Sequence, residues 1–376
     1  MNNIPVFRPC VGNDEINAIA DVINSGWLGL GPKVAEFESK FAKYIGTKHA
    51  VALNSGTSAL DMALKLLNVN HGDEVIVPAM TFVSTAHAVV YNLATPIFAD
   101  VDPITLNIDI DDVERKITSR TKAIIPVHYS GRPVDFDKLK SVVDKFDNNI
   151  YIIEDSAHAT SGSYKGTMCG ALGDISAFSF HAVKPLTTGD GGAITLNDDN
   201  MTDRAKKLRW LGIDKGTWDR TSIDKSYWWE YKVEEVGLKC HMNDMQAAMG
   251  LSQLNKIESL RQHRRDRAMF YSVGLSDVDE VWLPMYDDEC YMSAWHLFQI
   301  KCKHRDKLSI YLKSKGISTG VHYKPIHMYS CYGNTPVLPN AESVFGKILT
   351  LPLFPDLSYD DISYITDTIK EFYANI

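Results

Sequence analysis

The stretch His49-Ala-Val-Ala-Leu-Asn-Ser-Gly-Thr-Ser-Ala-Leu60 joins a short apolar run to a turn rich in glycine and hydroxyl groups, and then to a helical pattern. His49–Asn54 reads as a buried strand and Thr57–Leu67 as the helix that follows it. The same alternation extends on both sides. Asp14 to Asn24 and Pro32 to Tyr44 read as helices, the second with Val34, Phe37, Phe41 and Tyr44 on one face. Downstream, Glu74–Val77 reads as a strand, Phe82–Tyr91 as a helix, and Pro96–Asp100, Ala123–Val127, Tyr151–Ile153, Ser176–Phe180 and Ala193–Leu196 as further short strands. Short apolar strands separated by helices predict an α/β fold with a mainly parallel sheet covered on both faces. The pattern changes near residue 240. One long helix is expected from Asn243 to Tyr271, then an apolar segment Trp295–Lys301, a helix near Asp306–Lys315 and a C-terminal helix from Tyr359. Residues 241–376 are therefore read as a smaller α+β domain behind a large domain of residues 1–240.

The chain has 376 residues, 45% of them hydrophobic and 23% charged, enough for a sizeable core in more than one unit. Its formal charge of −8, from 39 basic and 47 acidic residues, argues against nucleic-acid binding. There is no run of about 18 apolar residues to cross a membrane. MNNIPVFRPC lacks the basic and apolar segments of a secretory signal, so a cytoplasmic protein is expected. The six cysteines form no C-x-x-C and the histidines no H-E-x-x-H, so free thiols and no metal site are expected. The Arg261–Arg267 run reads as a solvated helix face.

Four segments carry chemistry. In Asn54-Ser-Gly-Thr-Ser-Ala-Leu60, a glycine and hydroxyls at a helix start offer free N–H groups to a phosphate, although plain helix capping uses the same residues. In Tyr151-Ile-Ile-Glu-Asp-Ser-Ala-His158, Asp155 sits at the carboxyl end of a strand, where ligands bind in open α/β sheets. In Phe178-Ser-Phe-His-Ala-Val-Lys184, a lysine leaves a strand just before the turn Gly189-Asp-Gly-Gly192; desolvation there lowers its pKa and equips it to form a Schiff base. In Pro78-Ala-Met-Thr-Phe-Val83, Phe82 is placed to lie against an aromatic ring. Each segment alone has an ordinary structural explanation. Together they make one set, a phosphate cup, a stacking ring, a carboxylate for a ring nitrogen and a Schiff-base lysine, and pyridoxal 5′-phosphate (PLP) uses all four.

The chain resembles the DegT/DnrJ/EryC1/StrS sugar aminotransferases. The resemblance runs through SGWLGLGPKVAEFE (Ser25–Glu38), NSGTSAL, PAMTF, FADVDPITLNID (Phe98–Asp109), IEDSAHA, FSFHAVK, GDGG, HMNDMQAAMGLSQL (His241–Leu254), HYKPIH (His322–His327) and LPLFP (Leu351–Pro355). It implies the fold-type I architecture of aspartate aminotransferase, with a mainly parallel seven-stranded sheet. It also implies that Lys184 binds the PLP aldehyde, Asp155 faces the ring nitrogen, His158 lies near the phenolic oxygen, Phe82 stacks, and Gly56, Thr57 and Ser179 hold the phosphate. His322, Tyr323 and His327 would line the sugar or diphosphate site. Family members add an asparagine from the neighbouring subunit; Lys239, within Gly237-Leu-Lys-Cys-His241, stands at that place, which implies a homodimer with shared sites. Relatives with histidine for the lysine are dehydratases, so Lys184 favours transamination. The expected reaction moves an amino group from L-glutamate, leaving 2-oxoglutarate, to a nucleotide-linked 4-keto-6-deoxyhexose, because the His241–Leu254 segment resembles the C4 enzymes. A 3-keto sugar, or a regulatory PLP protein without catalysis, are the alternatives. The absence of a helix-turn-helix or basic tail weighs against the latter.

Overall fold

The computed structural model describes residues 3–214, 230–333 and 335–376. Its main sheet has seven strands: β1 (His49–Leu53), β2 (Glu74–Pro78), β3 (Thr95–Ala99), β4 (Thr121–Ile124), β5 (Tyr151–Asp155), β6 (Ile175–Ser179) and β7 (Gly192–Leu196). They lie in the order β1-β7-β6-β5-β4-β2-β3. β3, β2, β4, β5 and β6 pair parallel, while β7 pairs antiparallel with both β6 and β1. Six strands therefore end on one edge of the sheet. β7 begins on that edge, directly after the Gly189–Gly192 turn.

Valine, isoleucine and alanine fill these strands because both faces are covered. EVIVP and GAITL are buried at every position. On one face the helix Pro32–Ile45 starts with proline in its first turn and stops at Gly46, whose φ of 87° lies in the left-handed region. Its Phe37 and Phe41 meet Phe178 and Phe180 edge to face at 5.0–5.5 Å. Side chains alternate along a strand, so anchoring Phe178 and Phe180 on that helix turns Ser179 to the other face.

The long helix expected from Asn243 to Tyr271 is two helices, Asp244–Asn255 and Ile257–Gly274. The break is at Lys256, with φ −117° and ψ 8°. No glycine or proline marks it. The two halves pack on different bodies: Asp244–Asn255 against the helices Asn13–Ser25 and Pro32–Ile45, and Ile257–Gly274 against the C-terminal helix Tyr359–Ala374. Lys256 ties the joint by an ion pair of 2.7 Å to Glu15.

A second, antiparallel sheet contains Val281–Trp282, Phe298–Cys302 and Ile348–Leu351. Its core joins Phe298, Ile300, Leu349 and Leu351 to Ile362, Ile365 and Ile369 of the last helix, and also takes in Ile4 from the start of the chain. The arginine run is less solvated than expected. Arg261 and Arg265 pair with Glu258 and Asp287, but Arg264 is buried, because one helix face must close over the second core. Among the described residues, no helix is long and apolar enough to cross a membrane.

Candidate active site

A cavity of about 360 Å³ opens at the edge where the parallel strands end. Gly56, Thr57, Phe82, Asp155, His158, Ser179, Lys184, His322 and Tyr323 all line it, brought together from β1, β2, β5, β6 and the second body. One residue expected there stands elsewhere, and Lys239, expected at the neighbouring subunit's site, lies outside this chain's cavity. His327 is buried against Glu342, with Nε2 3.1 Å from the carboxylate, because the HYKPIH segment turns inward at Pro325 and a short 3-10 turn, Ile326–Met328, follows. Lys239 is exposed, its ammonium 3.1 Å from the centre of the Trp210 ring, and does not line this chain's cavity.

One end of the cavity is built from backbone and hydroxyls. Ser55 caps the helix Gly56–Leu66 by accepting the Ser58 N–H, and the first N–H groups of such a helix have no partner within it. Thr57 Oγ1 and Ser84 Oγ are 2.8 Å apart. A Cβ on Gly56 would lie 2.8 Å from the Ser179 Cβ, and one on Gly192 only 2.3 Å from the Ser55 carbonyl oxygen. Glycines at these two places let the helix start approach β6 and β7 closely enough to form a cradle. Free N–H groups, hydroxyls and the positive end of the helix suit a phosphate.

At the floor, Asp155 ends β5 and is buried. Its Oδ2 accepts from the Thr85 hydroxyl at 2.8 Å and its Oδ1 from the Ala157 N–H at 3.2 Å. Burial raises its pKa; these two donors, then Lys184 and His128, oppose the rise. Lys184 sits in a turn closed by its own N–H on the His181 carbonyl. Desolvation lowers its amine pKa to about 8, against the pull of Asp155. Among the described residues its ammonium has no hydrogen bond or ion pair, so it is free to react.

The side wall is aromatic and uncharged. His158 Nε2 lies 3.1 Å from the Tyr323 hydroxyl, and its ring is 4.4 Å from that of His296. His322 Nδ1 is 2.9 Å from Thr350 Oγ1. Burial first, then the nearby Lys184, push the pKa of all three histidines down, that of His322 to about 4, so the wall is neutral. Burial raises the Tyr323 pKa, and Asp155 adds to the rise, so Tyr323 keeps its proton. Phe82 stands at the rim, 56% exposed, its ring 6.1 Å from that of Tyr323.

Among the lining residues that lay outside the four segments read as carrying chemistry are Phe7, Ser84, Thr85 and His296. Phe7 stacks on His296 at 5.6 Å, which brings the start of the chain to the site. Phe7 and His296 lie 289 positions apart in single copies with no motif spacing, so no local signal joins them. Thr85 could have been suspected from PAMTF, since it lies four residues beyond Thr81, in the first turn of the helix Ser84–Tyr91. Among the lining residues Lys184 is the one lysine, and no arginine is present.

A cradle for a phosphate, a buried carboxylate across from an unpaired amine, and a cavity between them fit PLP and define a PLP-dependent transferase. The chain matches the DegT/DnrJ/EryC1/StrS aminotransferase family over residues 9–370 and belongs to it; it is a PLP-dependent sugar aminotransferase. It is 36% identical over 372 residues to the dTDP-4-dehydro-2,3,6-trideoxy-D-glucose 4-aminotransferase of Saccharopolyspora spinosa, across 98% of this chain and 96% of that protein. The crystal structure of the aminotransferase TlmJ from Streptoalloteichus hindustanus matches 100% of both chains with a TM-score of 0.93 at 34% identity. Spr1654 from Streptococcus pneumoniae, solved in a PLP form and a PMP form, matches with TM-scores of 0.92 and 0.93. The PLP form is 33% identical and covers 99% of each chain.

Proposed function

We propose that this chain transfers an amino group from L-glutamate to a nucleotide-linked 4-keto-6-deoxyhexose. The product is a 4-amino-4,6-dideoxy sugar nucleotide for surface-polysaccharide synthesis, made in the cytoplasm. The observation that carries the reading is the unpaired, desolvated Lys184 facing the buried Asp155 across a cavity whose other wall is uncharged. Neutral imidazoles and a phenol that keeps its proton suit the hydroxyl and keto groups of a sugar ring. The 4-keto position draws support from the 4-aminotransferase relative and from the His241–Leu254 segment.

In this reading Gly56, Thr57 and Ser179 hold the PLP phosphate, Phe82 covers a ring face, His158 lies by the phenolic oxygen, and Lys184 takes the aldehyde. The bound cofactor supplies an electron sink. Asp155 keeps a proton on the ring nitrogen. Lys184 would hold the aldehyde and, as a free amine, would take the proton from the donor's reacting carbon and, in the reverse sense, give one to the reacting carbon of the keto sugar. His322 and Tyr323 face the sugar. His327 acts behind them by holding their loop to Glu342.

Incubation with glutamate and a panel of nucleotide 4-keto and 3-keto sugars, read by mass spectrometry, tests the substrate. Amination of the 4-keto sugars is expected. A product from 3-keto sugars alone overturns the position, and a PLP-bound protein that glutamate never converts to the pyridoxamine form favours a regulatory role.

The phosphate needs more positive charge than this chain's cavity offers, since Lys184 is its one lysine and is committed to the aldehyde. We place Lys239 of the partner subunit there, in a homodimer with shared sites. Mixed dimers of Lys184→Ala and Lys239→Glu chains are then expected to recover part of the activity, because one of their two sites regains both lysines. Each variant alone should be inactive. Full activity of Lys239→Glu by itself, or no recovery in mixed dimers shown to form, refutes the shared site.

A further inference from the structure

The Asp155 carboxylate is held by two threonines in series along the cavity wall. Thr85 Oγ1 is 2.8 Å from Asp155 Oδ2, and Thr81 Oγ1 is 2.8 Å from Thr85 Oγ1. Both threonines are buried, and they lie four residues apart where the segment after β2 turns into the helix Ser84–Tyr91. A hydroxyl has one hydrogen to give. If Asp155 is ionised, Thr85 must donate to it, and Thr81 must then donate to Thr85. Every hydrogen has an acceptor in this sense of the chain. If Asp155 carries a proton on Oδ2, the chain reverses: Asp155 donates to Thr85 and Thr85 to Thr81, and the Thr81 hydrogen has no acceptor among the described residues. A proton on Oδ1 leaves the sense of the chain unchanged, so the pair bars a proton from Oδ2 alone; by donating to that oxygen it also favours the charged form, the stronger acceptor, of a carboxyl group that burial pushes toward neutrality.

We propose that Thr85, oriented by Thr81, is a positioning residue that fixes both the orientation and the ionisation of Asp155, leaving the remaining lone pairs of its oxygens directed to the ring nitrogen of the cofactor. The Ala157 N–H occupies one lone pair of Oδ1 and the Thr85 hydroxyl one of Oδ2, so neither oxygen can rotate without losing a donor. Other groups face Asp155 as well. Lys184 lies across the cavity and favours the ionised form, His128 lies nearby, and Tyr323 approaches from the second body. His128 accepts the Val134 N–H at Nδ1 and meets Glu154 through Nε2, so it donates toward Glu154 and leaves Asp155 to the threonines.

The inference rests on the role proposed for Asp155, but its test need not involve turnover. In the apo chain with 13C-labelled aspartate carboxyls, assigned with Asp155→Asn, the Asp155 resonance should titrate about one pH unit higher in Thr85→Val, because a donor to the charged form is lost. Thr85→Ser should restore the wild-type titration, and Thr81→Val should move it part of the way. In the holoenzyme, Thr85→Val should still bind PLP. Its glutamate half-reaction should slow by about tenfold, with the acid limb of its pH profile moved up in step, and the same substitution in an Asp155→Asn background should cost nothing further. An unmoved titration in both Thr85→Val and Thr81→Val overturns the relay, as does failure of Thr85→Ser to restore it. An equal cost in the Asp155→Asn background shows that Thr85 acts elsewhere. If instead the titration moves while no keto sugar is aminated, the substrate reading fails and the relay stands.

Discussion

Lys184→Ala should abolish transamination, lowering turnover by at least about 10²–10⁴-fold, the range that a positioned general acid/base contributes, and removing the covalent hold on the cofactor as well. The cradle at Gly56, Thr57 and Ser179 and the Asp155 floor survive this change, so the variant should still take up PLP non-covalently. Borohydride should fix the chromophore to the peptide containing Lys184 in the wild type and to no peptide in the variant. The pH dependence follows from the same amine. Its folded pKa is lowered to about 8 from an ordinary lysine value of 10.5, by desolvation. Below about pH 8 the amine is protonated and cannot attack. The rate at which the apo chain captures PLP should therefore fall about tenfold for each pH unit below that point and level off above it. Lys184→Arg, which keeps a charge but never deprotonates, should match the alanine variant. Retained turnover in either variant would show that another group carries the reaction.

Asp155→Asn should bind PLP and remain folded yet lose about 100-fold in the glutamate half-reaction, the scale of one preorganised electrostatic contact. The amide keeps the shape of the carboxylate and one acceptor for Thr85. It carries no charge, so the ring nitrogen loses its proton more readily and the electron sink weakens. Stopped-flow absorbance after mixing with glutamate measures this directly, and unchanged thermal stability separates it from misfolding. A near-normal rate would reduce Asp155 to a loop carboxylate that happens to be buried.

Much of this was legible in the chain because the relevant signals are local. HAVALN, EVIV and the other strands announce themselves by runs of apolar residues, and strands covered on both faces tolerate nothing else. A parallel sheet then brings the ends of its strands to one edge, so Asn54–Thr57, Phe82, Asp155 and Ser179–Lys184 could be read as neighbours before any coordinate was known. Each of these residues sits at a strand end or within a few positions after one, and strand ends are marked in the sequence.

Other features depend on which surfaces meet. The break at Lys256 carries no glycine or proline; it exists because one half of the segment packs on the first body and the other half on the second. His327 has the same local motif as His322, yet Glu342, fifteen residues on, draws its ring away from the cavity. The neutral wall of His158, His296 and His322 is a product of assembly: an imidazole in water titrates near pH 6.5, and only burial beside Lys184 drives its proton off. Fold class, family and the residues at the strand ends were open to reading along the chain, since periodicity and short motifs are properties of neighbouring positions. Tertiary structure alone decided that Thr85 backs Asp155, that Phe7 from the chain's start leans on His296, and that Lys184 loses its water, since distance and desolvation arise only when remote segments are packed together.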